Sequence, residues 1–276
     1  MPSSDSLGDR MKFYESLHAP DRLMPLVPAI ARLDGVHFHT FTRGLERPYD
    51  LRLSKAMIET TKYLVKETNA RIGYTQSDEI TLIWLNEDYN SSIYFDGKVY
   101  KIVSTLAARC TLFFNQQVRE NLPEKLTEEP AFDCRVFTVP NKMEAVNCLI
   151  WREQDATRNS VQMAARAYFS HAQCNEKSCS DLQEMLFQGK NINWNDYPSF
   201  FKRGTYVQRQ ITERPYTVEE LGRLPEKHNA RTNPDLKVAR SDYAVVDLPP
   251  LTRIANQEDV VFDGAKPLQV QKAELY

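Results

Sequence analysis

Three acidic residues stand out by type and by setting. Asp34 opens an Asp34-Gly35 pair directly after the apolar run Leu26 to Leu33 (LVPAIARL). Asp78 and Glu79 sit in a polar turn between two β-rich stretches, Ile72 to Thr75 and Ile80 to Leu85. Read singly, the first pair is a turn and the second a solvated hairpin tip. Brought together, the carboxylates repel one another and resist ionising, and a divalent cation relieves that repulsion. Hard oxygen donors suit Mg²⁺, which keeps several waters and accepts phosphate oxygens as its remaining ligands. Two such ions about 4 Å apart are the apparatus of phosphoryl and nucleotidyl transfer. Lys98 and Lys101, in the first turn of an expected helix, oppose its dipole and with its free N–H groups make a candidate triphosphate site. Arg32 shares the strand face of Asp34 and is a further candidate for phosphate; surface lysines and arginines on solvated faces are the plain alternative.

The elements that must position these residues follow from periodicity. The run to Leu33 reads as a buried strand. Leu53, Met57, Thr60 and Leu64 recur at helical spacing with Asp50 as N-cap. The Ile72–Leu85 stretch reads as a hairpin. A second helix spans about Lys98 to Glu120, with a stripe of Val99, Ile102, Val103, Leu106, Cys110 and Phe113 and with Asp96 as cap. Asp133 to Val139 is a fourth strand, stopped by Pro140. Asn141 with Glu144, and Ser180 with Gln183, resemble capping pairs of two further helices, the second ended by Gly189. The order β-α-β-β-α-β is the split βαβ arrangement: an α+β, ferredoxin-like antiparallel sheet with helices on one face plus helical additions. In that arrangement the first strand lies beside the third, which carries Asp34 to the turn holding Asp78 and Glu79, 44 residues later in the chain. The expected division is a core over 1–140, a helical region over 141–211 completing it, and a C-terminal extension over 212–276 that reads as an arm or irregular appendage.

Composition bounds the rest. The 276 residues are 42% hydrophobic and 26% charged, ordinary for a globular chain of one large or two smaller domains. There is no apolar run of about 18 residues, so no membrane partner is expected. The start MPSSDSLGDR lacks the order of a signal peptide, and five cysteines, an odd count, argue against a disulfide framework; a reducing cytoplasm fits. His171, Cys174 and Cys179 read as the opening of a zinc site lacking a fourth ligand, or simply as buried and surface side chains. The net charge of −2 excludes a globally basic coat but not a local patch. Arg152, Arg158, Arg166, Lys202, Arg203, Arg209, Arg231 and Arg240, interleaved with Tyr197, Phe200, Phe201 and Tyr206, read either as an RNA-facing surface or as a solvated face over an aromatic core.

The segments Arg32-Leu33-Asp34-Gly35-Val36-His37-Phe38-His39, Arg47-Pro48-Tyr49-Asp50 and Gly73-Tyr74-Thr75-Gln76-Ser77-Asp78-Glu79, in this order, resemble the tRNA-His guanylyltransferase superfamily. A weaker likeness runs through Asp133-Cys134-Arg135, Trp151-Arg152 and Lys202-Arg203-Gly204, so it covers roughly residues 7 to 210. The resemblance implies a polymerase-like palm that adds nucleotides to tRNA 5′ ends in the 3′-to-5′ direction, two Mg²⁺ ions, GTP or ATP as substrate, and a homo-oligomer, in this family a tetramer. By the same resemblance Asp34 and Asp78 bind metal, the Gly35 carbonyl helps hold it, and Glu79 is a neighbouring essential acid. Val36, His37, Phe38 and His39 fall on the nucleotide pocket, with Asp50 nearby and Arg47 where eukaryotic members carry lysine. Ser77, Lys98, Lys101 and Arg32 match triphosphate contacts. Members that add the extra guanosine to tRNA-His carry C-H-I-N-N-L-Y-N after a tryptophan-arginine pair; Ala156 to Met163 here keeps only Asn159. The likeness is therefore to the guanylyltransferase-like branch, which repairs 5′-truncated tRNA. Guanylylation of tRNA-His proper, a palm-fold nucleotide cyclase and a non-catalytic RNA-binding protein are the alternatives.

Overall fold

In the computed structural model, which describes residues 8, 10, 11, 13, 14, 21–89, 91–233 and 235–270, the chain builds its sheet outward from a buried first strand. In β1 (Ala29–Val36) alternate residues Ala29, Ala31 and Leu33 face one core, and Ile30 faces a second. After the short α1 (Phe38–Phe41), α2 (Leu51–Thr68) begins at Asp50, whose side chain accepts the Arg52 amide, and ends at a left-handed Asn69. Strands β2 (Ile72–Gln76) and β3 (Glu79–Trp84) form the expected hairpin, and α3 (Val99–Asn121) and β4 (Ala131–Thr138) complete the repeat. The stripes of α2 and α3, Met57 and Leu64 with Ile102, Leu106 and Cys110, cover the first core face. The α3 stripe continues through buried Phe114, while Phe113 stacks on Tyr63 at the rim with ring centroids 4.3 Å apart. Asp96 does not cap α3. It pairs with Arg22, and the cap position falls to Lys98, which makes no side-chain cap.

The second face is covered by α4 (Lys142–Arg166), opened by the Asn141 side chain on the Glu144 amide. Its Ala145, Val146 and Leu149 pack on Ile30, Ile72, Tyr74 and Ile83. Helices α5 (His171–Cys174), α6 (Cys179–Lys190) and α7 (Ser199–Arg203) pack beside the far half of α4. The α6 cap is Ser178 with Asp181, two residues before the expected Ser180 and Gln183, and the helix ends at Asn191 rather than Gly189. Cys174 is buried among Leu182, Leu186 and Phe201, and among the described residues no group of three His, Cys, Asp or Glu is placed to hold a metal ion, so the zinc reading falls. No helix among the described residues is long and apolar enough to cross a membrane.

The stretch beyond Thr212 is not an irregular appendage. Strand β5 (Thr205–Pro215) runs through the expected boundary at 211, and after α8 (Val218–Arg223) it pairs with β6 (Lys237–Val246) over ten residues. Only Thr205–Gln208 pair with β2, so the rest of the hairpin projects past the sheet with polar residues on both faces, and no alternation marks it as a strand. The order is β4-β1-β3-β2-β5-β6, antiparallel throughout, and its first four strands are the split βαβ arrangement. The chain returns through α9 (Gln257–Asp263), whose Val260, Val261 and Phe262 join the second core.

This return is tied to α4 by one carboxyl. The Leu251 amide donates to Glu153 Oε2 at 3.0 Å, and burial pushes Glu153 up to about 7 from its ordinary 4.5. The folded state therefore favours the protonated form, and the stability this group contributes is complete below pH 4.5 and lost as pH rises through 7. Unfolding midpoints should fall between pH 5 and 8, by at most about 3 kcal/mol for this group; chemical denaturation of Glu153→Gln across that range should show the slope flattened.

Candidate active site

The site grows from the pairing of β1 with the β2–β3 hairpin. Asp34 stands opposite Glu79 on β3 and Asp133 on β4, and the Gly35 amide donates to the Asp78 carbonyl at 3.1 Å. The turn is tight. Ser77 takes the left-handed region at φ 52°, uncommon for a non-glycine residue, and the Thr75 hydroxyl braces the turn on the Glu79 carbonyl at 2.9 Å. Gly35 is required for a different reason: a Cβ there would meet Phe38 Cδ2 at 2.2 Å. The Phe38 ring lies under the strand against Phe41, Phe114 and Phe132, with centroids 5.2, 5.5 and 5.0 Å away. Phe38 is thus part of the core rather than a pocket wall, a correction to the expected nucleotide contact. Val36, His37 and His39 remain exposed at this end of the sheet.

Asp34, Gln76, Ser77, Asp78 and Glu79 form one wall of a cleft of about 260 Å³. Burial raises the Asp78 carboxyl above the usual carboxylate range, the charges of Asp34 and Glu79 push the same way, and a hydrogen bond from Ser77 opposes them. Glu79 is claimed by Arg152, whose Nη1 donates to both carboxylate oxygens at 3.1 and 2.7 Å. Arg152 Nη2 reaches Asp155 at 3.1 Å, and its guanidinium lies 3.7 Å from the centroid of the Trp151 ring. Only 6% exposed, Arg152 faces the carboxylates and not RNA, which corrects its expected role. The expected three-acid cluster reduces to Asp34 and Asp78, with Glu79 held as an ion pair. Two carboxylates and the Gly35 carbonyl are hard oxygen donors of the kind Mg²⁺ accepts, the balance coming from water and phosphate.

The second wall of the cleft escaped the sequence reading. Asp155, Asn159, Gln162, Met163 and Arg166 of α4 line it opposite the acids. Their 3–4 residue spacing is visible in the chain, but nothing local says that this stripe meets the hairpin turn. Lys98 and Lys101 lie at the other end of the sheet. β3 runs from Glu79, opposite Asp34, to Trp84, opposite Ala29, and α3 starts beyond it, where Val99 bonds the Asp21 carbonyl. Five strand residues put roughly 17 Å between the ends, so within this chain neither lysine reaches the cleft. Asp50, buried, accepts from the Arg52 amide and guanidinium and from the Glu46 amide; Arg52 holds it below the usual carboxylate range, and the residue acts as a helix cap. Arg47 is exposed near it. Arg32 lies on the Asp34 face with its Cζ 5.4 Å from the Trp151 ring centroid and its Nε buried without a partner.

Of the other residues expected to face RNA, Arg158 is exposed but paired with Asp155 at 2.8 Å, and Lys202 donates to the Asn195 carbonyl beside Trp194. Arg203 is half-buried beside a second cavity of about 310 Å³ that Glu153 also lines. Tyr197, Phe200 and Phe201 pack with Tyr49 as a core cluster, at 6.1, 5.2 and 4.8 Å between centroids. Arg209, Arg231 and Arg240 belong to the β5–β6 hairpin region, bonded to Ser241, to the Gly222 and Leu224 carbonyls and to Glu220.

A split βαβ sheet presenting two acids at the end of its central strands, beside an open cleft, is the arrangement of a polymerase-like palm. The family model described as tRNAHis guanylyltransferase matches residues 8–140. A bacterial tRNA(His) guanylyltransferase (Thg1)-like protein solved in complex with ATP is 40% identical with a TM-score of 0.69, covering 74% of this chain and 88% of that one. A second, in complex with GTP, is 34% identical with a TM-score of 0.66 over 90% and 94% of the two chains. The tRNA(His) guanylyltransferase of Schizosaccharomyces pombe is 29% identical over 76% of this chain and 83% of its own length. The chain belongs to the tRNAHis guanylyltransferase family of nucleotidyltransferases.

Removing Arg152 leaves Glu79 and Asp155 without their shared cation. Arg152→Ala should cost about 3 kcal/mol or more in denaturant unfolding, and the double variant with Glu79→Ala should cost clearly less than the sum of the two single ones. Strict additivity would show that the pair does not couple.

Proposed function

We propose that this protein adds nucleotides to the 5′ end of tRNA in the 3′-to-5′ direction, as a metal-dependent, templated repair of 5′-truncated tRNA that begins with activation of the end by ATP or GTP. The observation that carries this reading is the meeting of Asp34 and Asp78 in one cleft, with Asp78 raised by burial and by its acidic neighbours. Such a pair calls for a cation: Asp34, Asp78 and the Gly35 carbonyl would hold Mg²⁺, which would supply positive charge to an attacking hydroxyl and to a triphosphate. The chain's own groups do the remainder. Ser77, at the turn, would release its hydroxyl from Asp78 to a phosphate oxygen once a cation takes the carboxylate. Arg152 neutralises Glu79 within the cleft wall and fixes the hairpin against α4. The cleft is open, in keeping with a substrate as large as an RNA end.

Repair is favoured over guanylylation of tRNA-His by a specific placement. The segment Ala156 to Met163, where the chain departs from the enzymes that add the extra guanosine, contributes Gln162 and Met163, beside the retained Asn159, to the cleft wall. Substrate choice would be exercised there, and base choice would come from pairing with the opposite RNA strand. The ATP and GTP complexes of the two bacterial relatives support either nucleotide for activation. A cytoplasmic homo-oligomer, a tetramer as the resemblance implies, completes the reading.

A tRNA lacking its first nucleotide, labelled at the 5′ end and supplied with each nucleoside triphosphate in turn, should be extended by the templated nucleotide alone. Chelation should stop the reaction and Mg²⁺ restore it. Asp34→Ala should abolish addition with an unchanged melting temperature; normal turnover in that variant contradicts the reading. A cyclic product from GTP or ATP without RNA would identify a cyclase instead.

A further inference from the structure

The charges around the cleft do not balance for a phosphorylated substrate, and one side chain is placed to correct this. Glu79 is neutralised by Arg152, and Asp155 by Arg152 and Arg158. Asp34 and Asp78 remain to hold a cation. A nucleoside triphosphate and an RNA 5′-phosphate together bring more negative charge than two divalent ions offset once those carboxylates are counted, so a further cation is needed at the cleft. Lys98 and Lys101 stand at the opposite end of the sheet. Among the described residues lining the cleft, Arg166 is the one lysine or arginine. Its guanidinium makes no ion pair or hydrogen bond with any described residue, and it is exposed. Arg152, Arg158 and Arg166, which look alike in the sequence, thus have three different fates: buried ion pair, outward ion pair, free cation at the cleft.

The helix that carries Arg166 shapes the site. Asp155, Asn159, Gln162 and Arg166 recur along one face of α4, eleven residue steps that rise roughly 16 Å, starting where Asp155 pairs with Arg152. Gln162 offers an amide donor beside Arg166, and Met163 an apolar surface. A cation in the last turn also complements the helix dipole, but that effect does not require it to line the cleft. We infer that Arg166, assisted by Gln162, is a phosphoryl-binding site on the wall opposite the acids, taking either the triphosphate of the incoming nucleotide or the 5′-phosphate of the RNA. This rests on the nucleotidyltransferase reading and adds to it the group that grips the substrate's phosphate at a distance from the metal ligands.

The test measures binding to the full chain by calorimetry in Mg²⁺, for wild type, Arg166→Ala and Arg166→Lys. The probes are guanosine 5′-(β,γ-imido)triphosphate and one truncated tRNA bearing either a 5′-monophosphate or a 5′-hydroxyl. Loss of a charge-assisted contact should weaken one phosphorylated probe about tenfold in Arg166→Ala, with Arg166→Lys recovering part of it. A triphosphate ligand moves the nucleotide arm; an RNA ligand abolishes the preference for 5′-phosphate over 5′-hydroxyl. Dissociation constants within about twofold of wild type in both arms, with an unchanged melting temperature, overturn the inference while leaving the enzyme assignment standing. A wild-type protein that binds neither probe overturns both.

Discussion

Backbone pairing at one sheet end sets the positions of Asp34, Asp78 and Glu79. The Gly35 amide on the Asp78 carbonyl, next to the Asp34–Glu79 register, holds two segments 44 residues apart within one turn of each other. A slip of one residue would carry Asp34 to the face packed by α2 and α3 and leave a leucine at the cleft. The register is secured from below, because Ala29, Ala31 and Leu33 are fully buried on that face and Phe38 fills the space that Gly35 leaves. The chemistry on one side of the strand therefore depends on close packing on the other.

Electrostatics arranges what the register brings together. Four carboxylates line the cleft, and leaving all of them unpaired would oppose folding. Arg152 removes two of them from contention at once, through two nitrogens of a buried guanidinium backed by the Trp151 ring. What is left, Asp34 and Asp78, is a pair whose repulsion a cation relieves. α4 thus serves as a lid on the second core, as the clamp on Glu79 and as the opposite wall of the cleft, three roles along a single helix.

Much of the core was legible in the chain because its signals are local. The helix stripes through Met57 and Leu64 and through Ile102 and Leu106, the Asp50 and Asn141 caps and the Ser77 turn all depend on residues within a few positions of one another. Asp34 and Asp78 were legible as a pair because split βαβ connectivity leaves little choice about which strand ends meet. The same rule, carried one step further, places the start of α3 at the other end of the sheet, and Lys98 and Lys101 with it. The β5–β6 hairpin was hidden because its two strands are polar on both faces and pair over a 21-residue interval between Pro215 and Lys237.

By itself, the sequence determined the secondary elements of the core, their order and the acids carried at the strand ends. Only the tertiary structure decided which charged residues act together: that Arg152 turns inward to Glu79, that Asp50 is consumed as a cap, and that Arg166 reaches the cleft. Periodicity records which face of an element is buried, whereas the partner of a charged side chain depends on where distant elements come to rest, and no local pattern encodes that distance.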